Sequence, residues 1–260
     1  MPDKGTTKKI TEVGGGAGPA TAREARPFVP TAESKGKAKS LRLFAIISWI
    51  VAIGLEVFAI LQLKKLPINT TLLIILIVAD LIFAVIGSLL WKKSNRLDPA
   101  SEKEKIKFFI QNQLGALIAV IAFLPLVILI FTNKDLKGKQ KGLVGGIAVI
   151  ALLIAGVTGI DFNPPSQEQY AQQTAQVESL SGANHVFWTK SGTKYHLYSD
   201  CYHINTNKTD EIFSGTVAQA RELKNISELC NTCENRIKKE KGMVTEPGPA
   251  PAPAAGETNQ

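Results

Sequence analysis

Apolar and polar residues are segregated along this chain into long blocks. Four apolar runs of about 20 residues each follow one another, separated by short polar or basic connections. Roughly 20 apolar residues in an α-helix span the hydrocarbon core of a bilayer. The pattern therefore predicts a bundle of four transmembrane helices. Their expected bounds are 43–63, 71–91, 108–131 and 143–160, within a membrane segment of residues 41–161.

The residues that flank this segment are polar. Residues 1–40 are rich in Gly, Thr, Ala, Pro and Lys and have too little apolar surface to offset the entropy of ordering, so we expect a disordered basic arm. Pro164 and Pro165 end the last helix, and residues 162–184 then form a weakly amphipathic juxtamembrane linker. Alternating Pro and Ala over residues 242–260 predict an extended, disordered tail.

Residues 185–241 form a separate small module. Short strand-like runs at Val186–Lys190 and Thr193–Leu197 are joined by a Ser-Gly turn and predict a β-hairpin. A third strand-like piece, Glu211–Phe213, is followed by a Ser-Gly-Thr sequence that would cap a helix. The expected fold class is a membrane all-α four-helix transmembrane bundle with a small soluble α+β module.

This module contains all three cysteines of the chain, Cys201, Cys230 and Cys233. An odd number of cysteines suits one metal site better than a disulfide framework. A Cys-x-x-Cys turn and a Cys with a His from the hairpin make a Cys₃His set, which is a standard closed structural zinc site. The sequence thus predicts one structural zinc per chain, held by His196 and the three cysteines. His203, two positions after Cys201, is the competing fourth ligand.

A closed set of four ligands leaves no open position for an activated water, so it argues against metal catalysis. No nucleophile–base constellation accompanies it, and we expect no enzymatic activity. A module of about 50 residues has little core, and a bound metal would offset that deficit. The alternative is that His196 is a surface histidine and that the thiols are a redox pair plus one free cysteine.

The motif itself resembles a known kind of module. Its matching residues are Thr189-Lys190-Ser191-Gly192, Lys194-Tyr195-His196, Asp200-Cys201, Ala218 through Ala220, and Leu229-Cys230-x-x-Cys233. This pattern is similar to the small zinc-type module at the C-terminus of thermonuclease-like nucleases and to modules appended to uncharacterised bacterial membrane proteins. The resemblance covers about a fifth of the chain and implies metal binding in a bacterial protein. No part of the chain matches a nuclease catalytic domain.

Two carboxylates, Glu56 and Asp80, lie within the first two apolar runs. A charge at mid-bilayer costs about 2.5–3.5 kcal/mol on insertion scales, so both residues should face the interior of the bundle. Antiparallel helices would place them at a similar depth. They could form a cation or proton site. We favour the other interpretation, a protonated and hydrogen-bonded pair that fixes the helix register, because no basic partner accompanies them.

The distribution of basic residues predicts the orientation. Ten Lys and Arg flank the helix ends on one side, with the N-terminal arm and the second connection, and six flank the other. The excess predicts a multi-pass plasma-membrane protein with both termini in the cytoplasm. If the fourth run did not span, the module would lie outside.

We therefore expect a membrane protein that displays a structural-zinc module for interaction or sensing. Ion or proton transport through Glu56 and Asp80, with a regulatory module, is one alternative. Nucleic-acid contact by the basic residues of the module is another, but such charges are more often simply solvated. The basic residues considered for this contact are Lys190, Lys194, Arg236, Lys238 and Lys239. The expected partners are the lipid bilayer, an unidentified protein, and a second copy packed through Gly and Ala helix faces.

Overall fold

The computed structural model describes residues 8–13, 28–224 and 226–243. The first elements are β1 (Lys9–Glu12), α1 (Ala32–Leu63), α2 (Thr70–Leu97), α3 (Lys105–Thr132), α4 (Gly138–Gly159) and α5 (Gln167–Ser181). They are followed by β2 (Val186–Thr189), β3 (Lys194–Tyr195), β4 (Glu211–Gly215), α6 (Val217–Lys224), β5 (Glu228–Leu229) and α7 (Asn231–Glu240). The chain divides into two compact units, a bundle unit that contains α1–α4 and a module unit that contains the strands and α7.

Helices α1–α4 are, among the described residues, the four that are long and apolar enough to cross a membrane. This finding confirms the predicted set of long apolar helices. Helix α1 is longer than the apolar run 43–63 that predicted it. It has 32 residues and extends for about 48 Å. It begins at Ala32, inside the arm that we expected to be disordered, and the side chain of Thr31 caps it by accepting a hydrogen bond from the backbone N–H of Ser34 at 3.1 Å. The disordered-arm prediction is therefore wrong for residues 32–40.

The contact between α1 and α2 has a heptad-like spacing. The buried residues of α1 recur at alternating intervals of four and three: Ala45, Trp49, Ala52, Glu56, Ala59 and Leu63. Those of α2 do the same: Leu73, Ile77, Asp80, Ala84 and Gly87. Small residues allow the two backbones to approach closely, and a Cβ at Gly87 would overlap the indole of Trp49. This contact holds both carboxylates in the interior of the bundle.

The contact between α3 and α4 depends on two glycines. A Cβ on Gly159 would collide with the backbone of Gly115, so only glycine permits this approach. Pro125 lies inside α3, which continues to Thr132. By contrast, Gly142 and Gly146 of α4 face open space. Packing through that face with a second copy stays a prediction.

Polar side chains connect the helices at one end of the bundle. The indole Nε1–H of Trp91 donates to the carbonyl of Gln111 at 2.7 Å, and Asn95 Nδ2 donates to the same oxygen at 2.8 Å. The guanidinium of Arg42 binds the carboxylate of Asp98 at 2.8 Å. Helix α1 is therefore tied to the end of α2, and the end of α2 to α3.

Helix α5 occupies most of the predicted linker. Its N-terminal half packs against the end of α2 and the connection to α3, and the hydroxyl of Tyr170 donates to the carbonyl of Arg96 in the last turn of α2 at 2.8 Å. The carboxylate of Glu168 accepts from the hydroxyl of Ser101 and, at 2.8 Å, from the backbone N–H of Glu102. The linker is helical because Tyr170 and Val177 have buried surfaces to pack against.

The module unit has two small sheets. In the first, β4 lies between β2, which is antiparallel to it, and β1, which is parallel to it. In the second, β3 pairs with β5 in parallel. Strand β1 is a second correction to the disordered arm: residues 9–12 gain regular structure because the edge of β4 offers them backbone partners. The remaining predictions for the arm and for the tail after Met243 fall outside the described residues.

The hairpin is present, although its strands are shorter than predicted. Phe187 and His196 exchange backbone hydrogen bonds of 2.7 Å each, which joins β2 to the residue after β3. Thr216 caps α6 reciprocally, because its hydroxyl accepts from the N–H of Gln219 at 3.2 Å while the side chain of Gln219 accepts from the N–H of Thr216 at 2.7 Å. Trp188, Tyr195, Ile212 and Ile226 are fully buried and form the core beside the cysteines.

Candidate metal centre

Parallel strands deliver the first two candidate ligands side by side. Tyr195 of β3 is aligned with Leu229 of β5, so the next residues, His196 and Cys230, emerge from the same end of the sheet. The backbone N–H of Cys230 donates to the carbonyl of Tyr195 at 2.9 Å and holds this register. Strand β5 could not be predicted, since a pair of residues is too short to show a periodicity.

A tight turn and a helix deliver the other two ligands. The carbonyl of Cys201 accepts the N–H groups of Ile204 and Asn205 at 2.9 and 2.8 Å, so the turn closes on the cysteine itself. Cys230 is the N-cap of α7, and Cys233 therefore lies in its first turn. The Cys-x-x-Cys turn is thus the start of a helix, which begins at Asn231.

These four residues form one compact and buried cluster. The ligand atoms of His196, Cys201, Cys230 and Cys233 lie within 4.8 Å of one another, and Nδ1 of His196 is 3.6 Å from Sγ of Cys233. A tetrahedral zinc with Zn–S of about 2.3 Å would place two sulfurs about 3.8 Å apart. The cluster therefore fits a tetrahedral metal ion with shifts of at most about 1 Å. All three cysteines are free thiols that are at most 5% exposed.

Backbone N–H groups point at the sulfur atoms. Those of Thr232 and Cys233 interact with Cys230, and those of Leu197 and Tyr198 interact with Cys233. Such donors stabilise the negative charge of a thiolate, which is the form that binds a metal. The arrangement is what a thiolate site requires.

Burial has opposite effects on the protonation of the thiols and of the imidazole. It raises the pKa of Cys201, and it raises the pKa of Cys233 to about 12. For Cys230 the effect of burial is outweighed by the N–H groups of Cys233 and Thr232, which lower its pKa. Burial, with the charge of His203 second, lowers the pKa of His196 to about 4 and keeps its imidazole neutral. A neutral imidazole is ready to bind a metal, whereas binding at the thiols must release protons.

The two competing histidines have different surroundings. His196 is 4% exposed and belongs to the cluster. His203 is exposed, its ring centroid lies 6.3 Å from that of His196, and its Nε2 is 3.2 Å from the hydroxyl of Thr232. The geometry thus places His196, and not His203, among the cysteines.

The sequence did not predict a group of surface contacts around Arg236 next to the cluster, which we call the latch. Arg236 of α7 binds Asp200 with distances of 2.9 and 3.0 Å and Glu240 at 3.0 Å, and its guanidinium carbon lies 4.0 Å from the ring centroid of Tyr198. The latch connects the helix that carries Cys233 to the turn that carries Cys201. Its sequence signal was available, because Arg236 and Glu240 have the i,i+4 spacing of a helical ion pair.

The intramembrane carboxylates are buried with few polar partners. Glu56 and Asp80 are 4% and 1% exposed. One oxygen of Glu56 and both oxygens of Asp80 have no hydrogen-bond partner among the described residues. The expected hydrogen bond between the two side chains is therefore not formed. The backbone of Leu126, directly after Pro125 in α3, interacts with Glu56, so a third helix borders the pair.

Searches of protein-family models, of curated proteins and of solved structures find no match to this chain. The resemblance of the module to that of thermonuclease-like nucleases accordingly stays a prediction.

Proposed function

We propose that this protein is a non-enzymatic integral membrane protein that displays a small zinc-stabilised module for interaction or sensing. The observation that carries the proposal is the buried cluster of one imidazole and three thiols within 4.8 Å. Three sulfurs and one nitrogen favour zinc among the common divalent ions. Four protein ligands complete a tetrahedron, so the metal would have a structural role.

Burial argues against a redox role for the cysteines. Reactive cysteines are partly exposed and lie in electropositive surroundings. Here all three cysteines are at most 5% exposed, and burial raises the pKa of Cys201 and Cys233, so access to the thiols is restricted and two of the three disfavour the reactive thiolate. A structural metal explains the cluster better than a redox pair.

The surface beside the centre could receive a partner. A cleft of about 430 Å³ is lined by His203, Thr189, Asn231 and Thr232, and the ligands His196 and Cys230 form part of its wall. A molecule bound there would contact the metal ligands directly. Loss or gain of the metal would thus change the cleft, which is what a sensing module requires.

Three of the five basic residues considered for nucleic-acid contact are engaged in ion pairs within the module. Lys194 pairs with Glu228 at 3.1 Å, Lys238 pairs with Glu234 at 2.7 Å, and Arg236 is held in the latch. Paired cations have less charge available for phosphates. We therefore propose a protein or small-molecule partner.

Metal analysis of the purified, reduced full-length protein tests the zinc proposal. We expect one zinc per chain in the wild type, and loss of it in Cys230→Ser. His196→Ala and His203→Ala form a matched pair: the first should weaken zinc binding at least tenfold, whereas the second should leave it unchanged. Absence of zinc from the reduced wild type would contradict the proposal. A weaker zinc affinity in His203→Ala than in His196→Ala would overturn the assignment of the fourth ligand.

We also propose a plasma-membrane location with both termini in the cytoplasm, supported by the ten-to-six excess of basic residues. Thiol labelling of intact cells tests it. An impermeant reagent should not label Cys201, Cys230 or Cys233, with or without a chelator. Labelling after chelation in intact cells would place the module outside.

A second candidate function is cation or proton binding within the bundle. It is favoured by three carboxylate oxygens of Glu56 and Asp80 that lack a hydrogen-bond partner among the described residues. Buried polar groups without partners are costly in lipid, and a proton or a small cation would satisfy them.

Ion flux in proteoliposomes tests this second candidate. The variant Glu56→Gln/Asp80→Asn should abolish any flux that the wild type supports, while Cys230→Ser should change flux only if the module is regulatory. Equal flux in the wild type and the double variant would exclude the pair as a transport site.

A further inference from the structure

A pocket of about 1030 Å³ lies at the end of the bundle where α1, α2 and the start of α3 meet. One wall is apolar: Ile106, Ile110 and Leu114 recur at intervals of four along one face of α3, and the indole of Trp91 completes the lining. Ile106 is 79% exposed and Ile110 is 47% exposed, so this wall is open to the surroundings of the bundle. In a membrane, an apolar wall of this kind faces acyl chains.

The rim of the same pocket is basic. Lys103, Lys105, Lys107 and Arg42 line it, with Glu104 as the one carboxylate of the lining. Lys107 is paired with Glu104 at 2.8 Å, and Arg42 with Asp98. Lys103 and Lys105 form no ion pair within 4.0 Å with any described residue. The pocket thus combines an excess of positive charge with an adjoining apolar wall.

The order of these surfaces along α3 matches the structure of an amphiphile. The three lysines lie just before α3 or in its first turn. The apolar wall begins in the same turn, at Ile106, and continues along α3 for about two turns to Leu114. The indole of Trp91 also lines the pocket, and its ring centroid lies 5.8 Å from the guanidinium carbon of Arg42. Tryptophan and arginine are typical of the level of the lipid headgroups.

We propose that this pocket binds one anionic phospholipid. Its phosphate contacts Lys103 and Lys105, and one acyl chain lies along Ile106, Ile110 and Leu114. The charge excess discriminates against zwitterionic lipids, and the apolar wall discriminates against a soluble phosphate. Basic pockets at the ends of transmembrane helices are suited to anionic headgroups.

The chain offers a matched control for the test. Lys137, Lys139 and Lys141, at the start of α4, have the same alternate spacing as the three lysines of the pocket. The variants Lys103→Gln/Lys105→Gln/Lys107→Gln and Lys137→Gln/Lys139→Gln/Lys141→Gln remove the same charge at the starts of two helices, from positions that are exposed except for the half-buried Lys141. Delipidated full-length protein would be titrated with phosphatidylglycerol or with phosphatidylcholine of the same acyl chains, and bound lipid counted by native mass spectrometry.

We expect the wild type and the α4 variant to retain one phosphatidylglycerol per chain, and the pocket variant to lose affinity by about a hundredfold, at roughly fivefold for each of its three lysines. Phosphatidylcholine should show no such site, and glycerophosphate should not compete. Equal losses in the two variants, or equal binding of both lipids, would show annular lipid only and overturn the proposal.

Fluorescence then reports where the lipid lies. The ring of Trp49 lies 5.3 Å from that of Trp91, so the measurement uses a Trp49→Phe background. In it, phosphatidylglycerol with brominated acyl chains should quench the emission of Trp91, and adding Trp91→Phe should remove most of the quenching. Quenching that survives this substitution would place the lipid elsewhere and reject the pocket, even if one lipid is bound.

Discussion

The bundle and the module of this chain are stabilised in different ways. In the bundle, small residues such as Ala52 and Gly87 share the buried helix contacts with large ones such as Phe123, while many other large apolar side chains, among them Ile50 and Leu153, point outward. In the module, the large side chains Trp188 and Ile212 point inward beside four potential metal ligands. A lipid environment removes the need to bury large apolar groups, whereas a small domain in water lacks enough of them and gains from a metal.

The two units also differ in the polar groups that they bury. The module places His196 and three thiols in its interior, where one metal could satisfy all four. The bundle places Glu56 and Asp80 in its interior, where three of their four carboxylate oxygens have no hydrogen-bond partner among the described residues. Each unit therefore buries polar groups, but only those of the module form a set that one metal ion could satisfy.

The largest expected effect is unfolding of the module while the bundle stays folded. Cys230→Ser, or a zinc chelator, should unfold the module and leave the bundle helical, because structural zinc contributes on the order of 10 kcal/mol to small domains. The emission of Trp188, in a background with Trp49→Phe and Trp91→Phe, should shift to the red, while far-ultraviolet circular dichroism retains most of its helical signal. Simultaneous loss of both signals would mean that the bundle depends on the module.

A smaller effect is confined to the bundle. Gly87→Ala should destabilise it by about 1–3 kcal/mol, because the added methyl group overlaps the indole of Trp49. Gly54→Ala, in the same helix pair, adds the same group in open space and should be neutral or stabilise by up to about 1 kcal/mol. Unfolding by sodium dodecyl sulfate measures both, and equal stabilities would contradict the close contact of α1 with α2.

A third effect is confined to the module. Thr216→Ala removes the hydroxyl that caps α6 and should destabilise the zinc-loaded module by about 1 kcal/mol. Thr193→Ala, at an exposed turn position, serves as the control and should have no effect. The midpoint of denaturation followed by Trp188 emission reports the difference, and a silent Thr216→Ala would show that the capping box does not form.

The smallest effect depends on pH. Burial would raise the pKa of Glu168, but hydrogen bonds from Ser101 and from the N–H of Glu102 lower it on balance. A lowered pKa stabilises the folded state above the ordinary carboxyl pKa, and this contribution disappears as the pH falls through the lowered value. Glu168→Gln should therefore cost less than about 1 kcal/mol at neutral pH, since the site is partly exposed, and nothing in acid. Hydrogen exchange of α5 measures it, and a pH-independent difference would contradict the ionic origin.

The sequence predicted the parts of this structure that depend on local pattern. The four apolar runs became α1–α4, and the ligand cluster contains the residues chosen from their chemistry and spacing. It missed β1 and β5, because strands of four and two residues are specified by the partners that they meet. It also extended the disordered arm past Ala32, since a polar helical turn continuous with an apolar helix has no apolar signal of its own.

Strand β1 has a consequence for membrane topology. It is hydrogen-bonded to β4, although Thr11 and Glu211 are 200 positions apart and all four apolar helices lie between them. Two strands of one sheet cannot lie on opposite sides of a bilayer. The number of crossings between them must then be even, which excludes a topology in which only three of the four helices cross. A strand of four residues thus requires that the chain crosses the membrane an even number of times between β1 and β4.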